Sequence, residues 1–133
     1  MTTTTLTKTA RTVVASQSVA AAGTVRGAVD LRTAQGGLLT LQVANGASGP
    51  TTACVVTISV AHDGGSTPAT DTEGAVWKRF YQVAGTTVNN DVRQWALDVP
   101  PGAMHLQVEF SGHTGQAITV EALLSEITAV ESV

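Results

Sequence analysis

Apolar and polar side chains alternate at a period of two in run after run of this sequence, and no stretch of ten or more residues repeats at helical spacing. Met104, Leu106, Val108 and Phe110 alternate with His105, Gln107 and Glu109. Ile118, Val120, Ala122 and Leu124 alternate with Thr119 and Glu121. Leu39, Leu41 and Val43 do so with Thr40 and Gln42, and Cys54, Val56, Ile58 and Val60 with Thr57 and Ser59. In 24–32, Val25, Val29 and Leu31 oppose Arg26, Asp30 and Arg32; in 92–99, Trp95, Leu97 and Val99 oppose Gln94 and Asp98. Successive strand side chains point to opposite faces, so each run presents one apolar face to a core and one polar face outward. The runs are divided by Gln35-Gly36-Gly37, Asn45-Gly46, Gly49-Pro50, Pro100-Pro101-Gly102 and Ser111 to Gly115, all turn chemistry. Residues 75–84 form a further strand with apolar groups on both faces, and its facing stays open. The tail, 123–133, prolongs the last strand and frays, with a short amphipathic helix as the alternative. No helix is long enough to connect parallel strands. The expectation is an all-β chain folded as a single antiparallel β-sandwich, jelly-roll or immunoglobulin-like, of seven to eight strands.

A chain of 133 residues is the size of one core. We expect a sandwich domain over 13–133, preceded by an N-terminal arm or edge strand over 1–12. The stretch from Lys8 to Gly23 has the outline of a secretory leader, but Ser16, Gln17 and Ser18 break its apolar middle, so no cleaved leader is expected. The threonine-rich start, Thr2 to Thr9, has high β-propensity and no turn chemistry, as an arm docked on a neighbour or a first edge strand would. A net charge of −3 lacks the basic footprint of phosphate recognition, so nucleic acid is not an expected partner. No apolar run approaches the roughly 18 residues of a helical span, and no membrane partner is expected.

Catalytic and metal-binding signatures are absent from the sequence. There is no nucleophile elbow, phosphate loop or EF-hand loop, and His62, His105 and His113 lack zinc-pair spacing. His105 and Glu109 share a polar face and, with Glu121 as partner, read as a solvated cross-strand pair. Cys54 sits in an apolar row with no charged sequence neighbour and reads as a core residue. Asp63, Asp71 and Glu73 in the long 62–74 loop read as solvating groups rather than calcium ligands. No cofactor, metal or enzymatic activity is expected.

What remains is surface. Charged residues make up 13% of the chain, about half the usual share, and Lys8 and Lys78 are its only lysines. Solitary sandwiches protect their sheet edges with charge, lysine above all, so edges this neutral predict cover by other subunits. The candidate contact residues are Thr2, Thr4, Leu6, Lys8 and Arg11 of the arm, then Trp77, Arg79 and Tyr81, with Arg26 and Arg32 as a polar rim. Aromatic residues and arginine are the types enriched at interface hot spots. Burial of Trp77 and Tyr81 on the inner face, with Phe80 outside, is the alternative.

The segment Val29 to Arg32, the loop from Asn45-Gly46 to Gly49-Pro50-Thr51, and the hairpin from Val99-Pro100 through Leu106 to Phe110 and on to Gly115 to Ala122 resemble small virion proteins of tailed bacteriophages. The likeness runs over about residues 24–128. It consists of strand and turn patterns and carries no site residues. It implies a β-sandwich that coats or cements an icosahedral head, or sits at its neck. Such a protein would be a dimer or trimer bound to the major capsid protein or other virion proteins, in a particle assembled in the host bacterial cytoplasm. A carbohydrate- or receptor-binding module using the 62–74 and 85–91 loops, or a neck or tail connector, is the alternative function.

Overall fold

The computed structural model describes residues 4–62 and 77–132, which form eight strands and no helix. They are β1 (Thr4–Val19), β2 (Val25–Asp30), β3 (Gly37–Asn45), β4 (Val55–Ala61), β5 (Lys78–Ala84), β6 (Val92–Val99), β7 (His105–Ser111) and β8 (Ile118–Ser132). One sheet has the order β1-β8-β3-β6 and the other β2-β7-β4-β5, and every ladder is antiparallel. Outer strands therefore pair inward along the chain, β1 with β8, β2 with β7, β3 with β6 and β4 with β5, as one long hairpin curled into two layers. That is the jelly-roll solution of the expected sandwich.

The alternating rows meet between the layers. Leu39, Leu41 and Val43 face Val56, Ile58, Leu106, Val108 and Phe110, and Ile118, Val120, Ala122 and Leu124 complete the sheet of β8; all are buried. Val29, Leu31 and Cys54 are buried in the same cluster, while Trp95 and Leu97 are half-buried against it because β6 is a sheet edge. The two layers close on one side where β1 passes β2. There Gly27 lies so near the Val13 carbonyl that no side chain fits between them. Register shifts near Thr7, Thr12 and Val14 bend β1 around this corner, as bulges do.

Three sequence expectations need correction. His105 is buried, not solvated. It lies with Ser59, Ala61 and Gln107 on the outward side of β4 and β7, where alternation had placed solvent, and Glu121 belongs to the other sheet and cannot pair with it. Trp77 is 1% exposed, outside the cluster between the layers, so its ring is not offered for contact. The boundary expected between residues 12 and 13 falls inside β1, which runs unbroken from Thr4 to Val19. Thr2, Asp63, Asp71 and Glu73 lie outside the described residues. The tail does prolong the last strand, because it has β1 to pair with.

Candidate interaction surfaces

The two longest strands outrun the sandwich together. β3 pairs with β8 only as far as Gly37 opposite Glu126, the Gln35–Gly36 backbone still bonds Ile127, and beyond Ile127 β8 has β1 alone. The result is a two-stranded ribbon in which Thr4 faces Ser132, Leu6 faces Val130 and Lys8 faces Ile127. No third strand supports it among the described residues, and two-stranded ribbons are marginal in water without a surface to pack on. Directly opposed residues share a face, as do residues two apart on one strand, so Leu6, Lys8, Val130 and Ile127 project on one side. Leu6 is 48% and Val130 52% exposed, an apolar cross-strand pair left in solvent.

Arg11 marks where the ribbon joins the body. Its Nη1 donates to Glu126 Oε2 at 3.3 Å and to the Asp30 carbonyl at 3.1 Å, tying β1 to β8 and to the end of β2. Glu126 is only 7% exposed, so Arg11 is committed to a buried carboxylate and is a positioning residue rather than a free contact. The other arginines of the expected rim are engaged too. Arg26 Nη2 lies 3.0 Å from Glu109 Oε2 across the β2–β7 ladder, and Arg32 forks onto both oxygens of Asp30.

At the root of the ribbon, on the same side as Leu6 and Val130, lies a groove of about 580 Å³. Leu38, Pro100, Pro101 and Ile127 give it an apolar lining, with Lys8 and Asp98 also in its walls. Pro100 and Pro101 end β6 in the turn and bring apolar rings next to Leu38, which β3 presents outward. A second, smaller depression of about 410 Å³ sits on the outer face of the β1-β8-β3-β6 sheet. Its polar groups include Thr40, Glu121 and an amide pair in which Gln94 Nε2 donates to Gln42 Oε1 at 2.8 Å.

The third surface is β5, the edge of the other sheet. Phe80 and Tyr81 are 38% and 48% exposed, and Lys78 and Arg79 are exposed beside them. Tyr81 is thus exposed and Trp77 buried, which divides the expected aromatic cluster. Of the expected arm residues, Thr4, Leu6 and Lys8 are exposed on the ribbon. No periodic feature of the sequence predicts that β1 pairs with β8; the one cue is the opposite charge of Arg11 and Glu126.

Among the described residues no group of three or more His, Cys, Asp or Glu could hold a metal ion. His113 Nε2–H donates to the Ala20 carbonyl at 2.8 Å and lies 3.2 Å from that of Val19, pinning the β1–β2 turn under the β7–β8 connection. Burial pushes the Cys54 thiol up to about 11. At pH 8 its thiolate is scarce, so a disulfide reagent should label the native protein on the order of 100-fold more slowly than the unfolded chain. Equal rates with and without denaturant would show the thiol to be accessible.

Two carboxylates are held below their ordinary range. Asp30 is lowered by hydrogen bonds from the Arg32 side chain and backbone, and Asp91 by the Thr86 hydroxyl and then by Arg93. Because the folded values lie below the unfolded one, their contribution is fully present above about pH 4 and is lost as pH falls through the folded values. The melting temperature should therefore fall on acidification below about pH 4, and Asp30→Asn should flatten part of that slope. A slope unchanged by Asp30→Asn would exclude that carboxylate as a source.

No protein-family model matches this chain, and no curated protein matches it in sequence. Solved structures do. A cleaved adhesin domain of Lys-gingipain from Porphyromonas gingivalis superposes with a TM-score of 0.57 at 13% identity, over 83% of this chain and 72% of that one. Another cleaved adhesin domain of the same protein gives 0.53 at 13% identity, over 96% and 91%. A chain of the IBDV viral particle gives 0.52 at 11% identity, over 92% of this chain but only 31% of that one. At such identities the likeness is one of fold: this jelly roll is shared with a viral particle protein and with adhesin modules.

Proposed function

We propose that this chain is a non-enzymatic structural protein of a tailed-phage particle. In this reading it is a homo-oligomeric decoration or cement protein that binds the major capsid lattice or a neighbouring virion protein, assembled in the host bacterial cytoplasm. The observation that carries the reading is the unsupported β1–β8 ribbon with its exposed Leu6–Val130 pair. A solitary domain gains nothing from extending both chain ends beyond its core as an unprotected edge, whereas a subunit of an assembly gains contact area. The neutral surface and the exposed Lys78 to Tyr81 edge support the same reading, since both suit cover by neighbours. The fold shared with a viral particle chain is compatible with it.

Particles assembled without this chain provide the test. The full chain should co-sediment with them saturably, and a variant lacking residues 1–7 should lose that binding while keeping its melting transition. The deletion stops short of Lys8 and Arg11 so that Glu126 keeps its partner. Failure of the full chain to bind would refute the proposal.

One observation favours a second reading, that of a carbohydrate-binding module. The Gln42, Gln94 and Glu121 depression offers amide and carboxylate groups suited to sugar hydroxyls, and adhesin domains share the fold. Saturable binding on a glycan array, lost in Gln94→Ala, would support it. Trp77→Ala would not discriminate, because Trp77 is buried.

A further inference from the structure

The proposal above makes the ribbon a contact element, and resting on that reading we infer that its partner is a second copy of this chain. Two copies related by a two-fold axis each lay the Leu6–Val130 pair into the groove at the root of the other's ribbon, with Lys8 of one copy against Asp98 of the partner subunit.

A two-fold interface requires a surface complementary to itself, so that each feature and its complement lie on one patch. This patch has that property. The exposed pair and the groove lie on the same side of the same ribbon, separated by the step from Leu6 to Lys8 on β1 and from Val130 to Ile127 on β8. The apolar projection and the apolar recess are therefore continuous. Turning a copy end for end about the middle of the strip sets each projection over the other's recess, against Leu38, Pro100 and Pro101.

Charge follows the same pattern. Lys8 and Asp98 both line the groove, yet among the described residues neither has an ion-pair partner, in contrast to Arg11, Arg26, Arg32 and Arg93. A cation and an anion left unmatched on one patch are matched when the patch meets itself. A partner of other composition would need to supply both charges and both shapes.

The pairing also accounts for the ribbon's length. Alone, the ribbon leaves the outward side chains of Leu6, Lys8 and Val130 wet. Packed against a second ribbon they gain the covered face that a two-stranded element needs.

Sedimentation equilibrium of the full chain, with thermal melts as a control for folding, tests this. The wild type should be a dimer in the micromolar range. Leu6→Asp should weaken association by roughly 100-fold or more, since it puts a charge in the apolar recess, and should leave the melt near that of the monomer. Should Leu6→Asp fail to fold, Val130→Asp replaces it. Lys8→Glu and Asp98→Lys should each weaken the dimer by about 10-fold, and the double reversal should restore it to within about 3-fold, which no merely structural role would produce. A monomer at all concentrations, a trimer, a dimer indifferent to Leu6→Asp, or a double reversal no better than the single ones would each overturn the inference. A chain that dimerises but never binds particles leaves this inference standing and removes the virion reading; one that binds particles as a monomer does the reverse.

Discussion

Replacing Phe110 with alanine is expected to destabilise the fold by about 3–5 kcal/mol and to lower the melting temperature by roughly 10–20 °C. Phe110 is fully buried near the end of β7, a central strand, opposite Val25 of β2 and Val56 of β4. Removing the ring forfeits its transfer free energy and leaves a cavity that the surrounding strands cannot close, since their ladders fix their spacing on both sides. Met104 lies in the same alternating row but outside the covered region, 40% exposed, and Met104→Ala should change stability by less than about 1 kcal/mol. Comparable losses at the two positions would mean that the core is not where the ladders place it.

The second large effect is expected at Gly27, whose replacement by valine should cost about 3 kcal/mol or more. A Cβ at this position would sit 1.9 Å from the Val13 carbonyl oxygen, and the obstacle is backbone, not the end of a flexible side chain. Accommodating it requires β1 to move off β2. That opens the corner where the layers meet and strains the Arg11 bond to the Asp30 carbonyl. Gly46 is the control. A Cβ there meets nothing within 4 Å, so Gly46→Ala should be close to neutral. Urea unfolding of the two variants measures the contrast, and a tolerated Gly27→Val would show that β1 does not pass β2 as closely as described.

The rows that became the core were legible because alternation is a local property. The residues of β3, β4, β7 and β8 that alternate in the sequence are those that meet between the layers, and the prolines after Val99 end β6 as their missing donors require. What was not legible depends on which strand lies beside which. His105 and Gln107 read as solvated because alternation assigns faces but not cover, and only the fold shows the outward side of β7 to be buried. Trp77 and Tyr81 read as one cluster because they are close in sequence, yet Trp77 is buried outside the core cluster while Tyr81 is exposed on the edge strand β5. The ribbon is the element least legible in the sequence. Thr4 to Val19 carries almost no alternation, since its outer half is exposed on both faces, and its pairing partner lies at the opposite end of the chain. Nothing periodic in either segment encodes that meeting.

The contact role of the ribbon is open to direct measurement by hydrogen exchange, comparing the dilute isolated chain with the same chain in purified particles. In isolation, the amides of residues 4–8 and 128–132 should exchange rapidly relative to those of β3 and β7, because only one ladder holds them. In the particle they should become protected by at least an order of magnitude while the core remains unchanged. Exchange at these two segments that is the same in both states, alongside protection appearing elsewhere on the domain, would contradict the claim that the paired chain ends are the surface through which this jelly roll is built into an assembly.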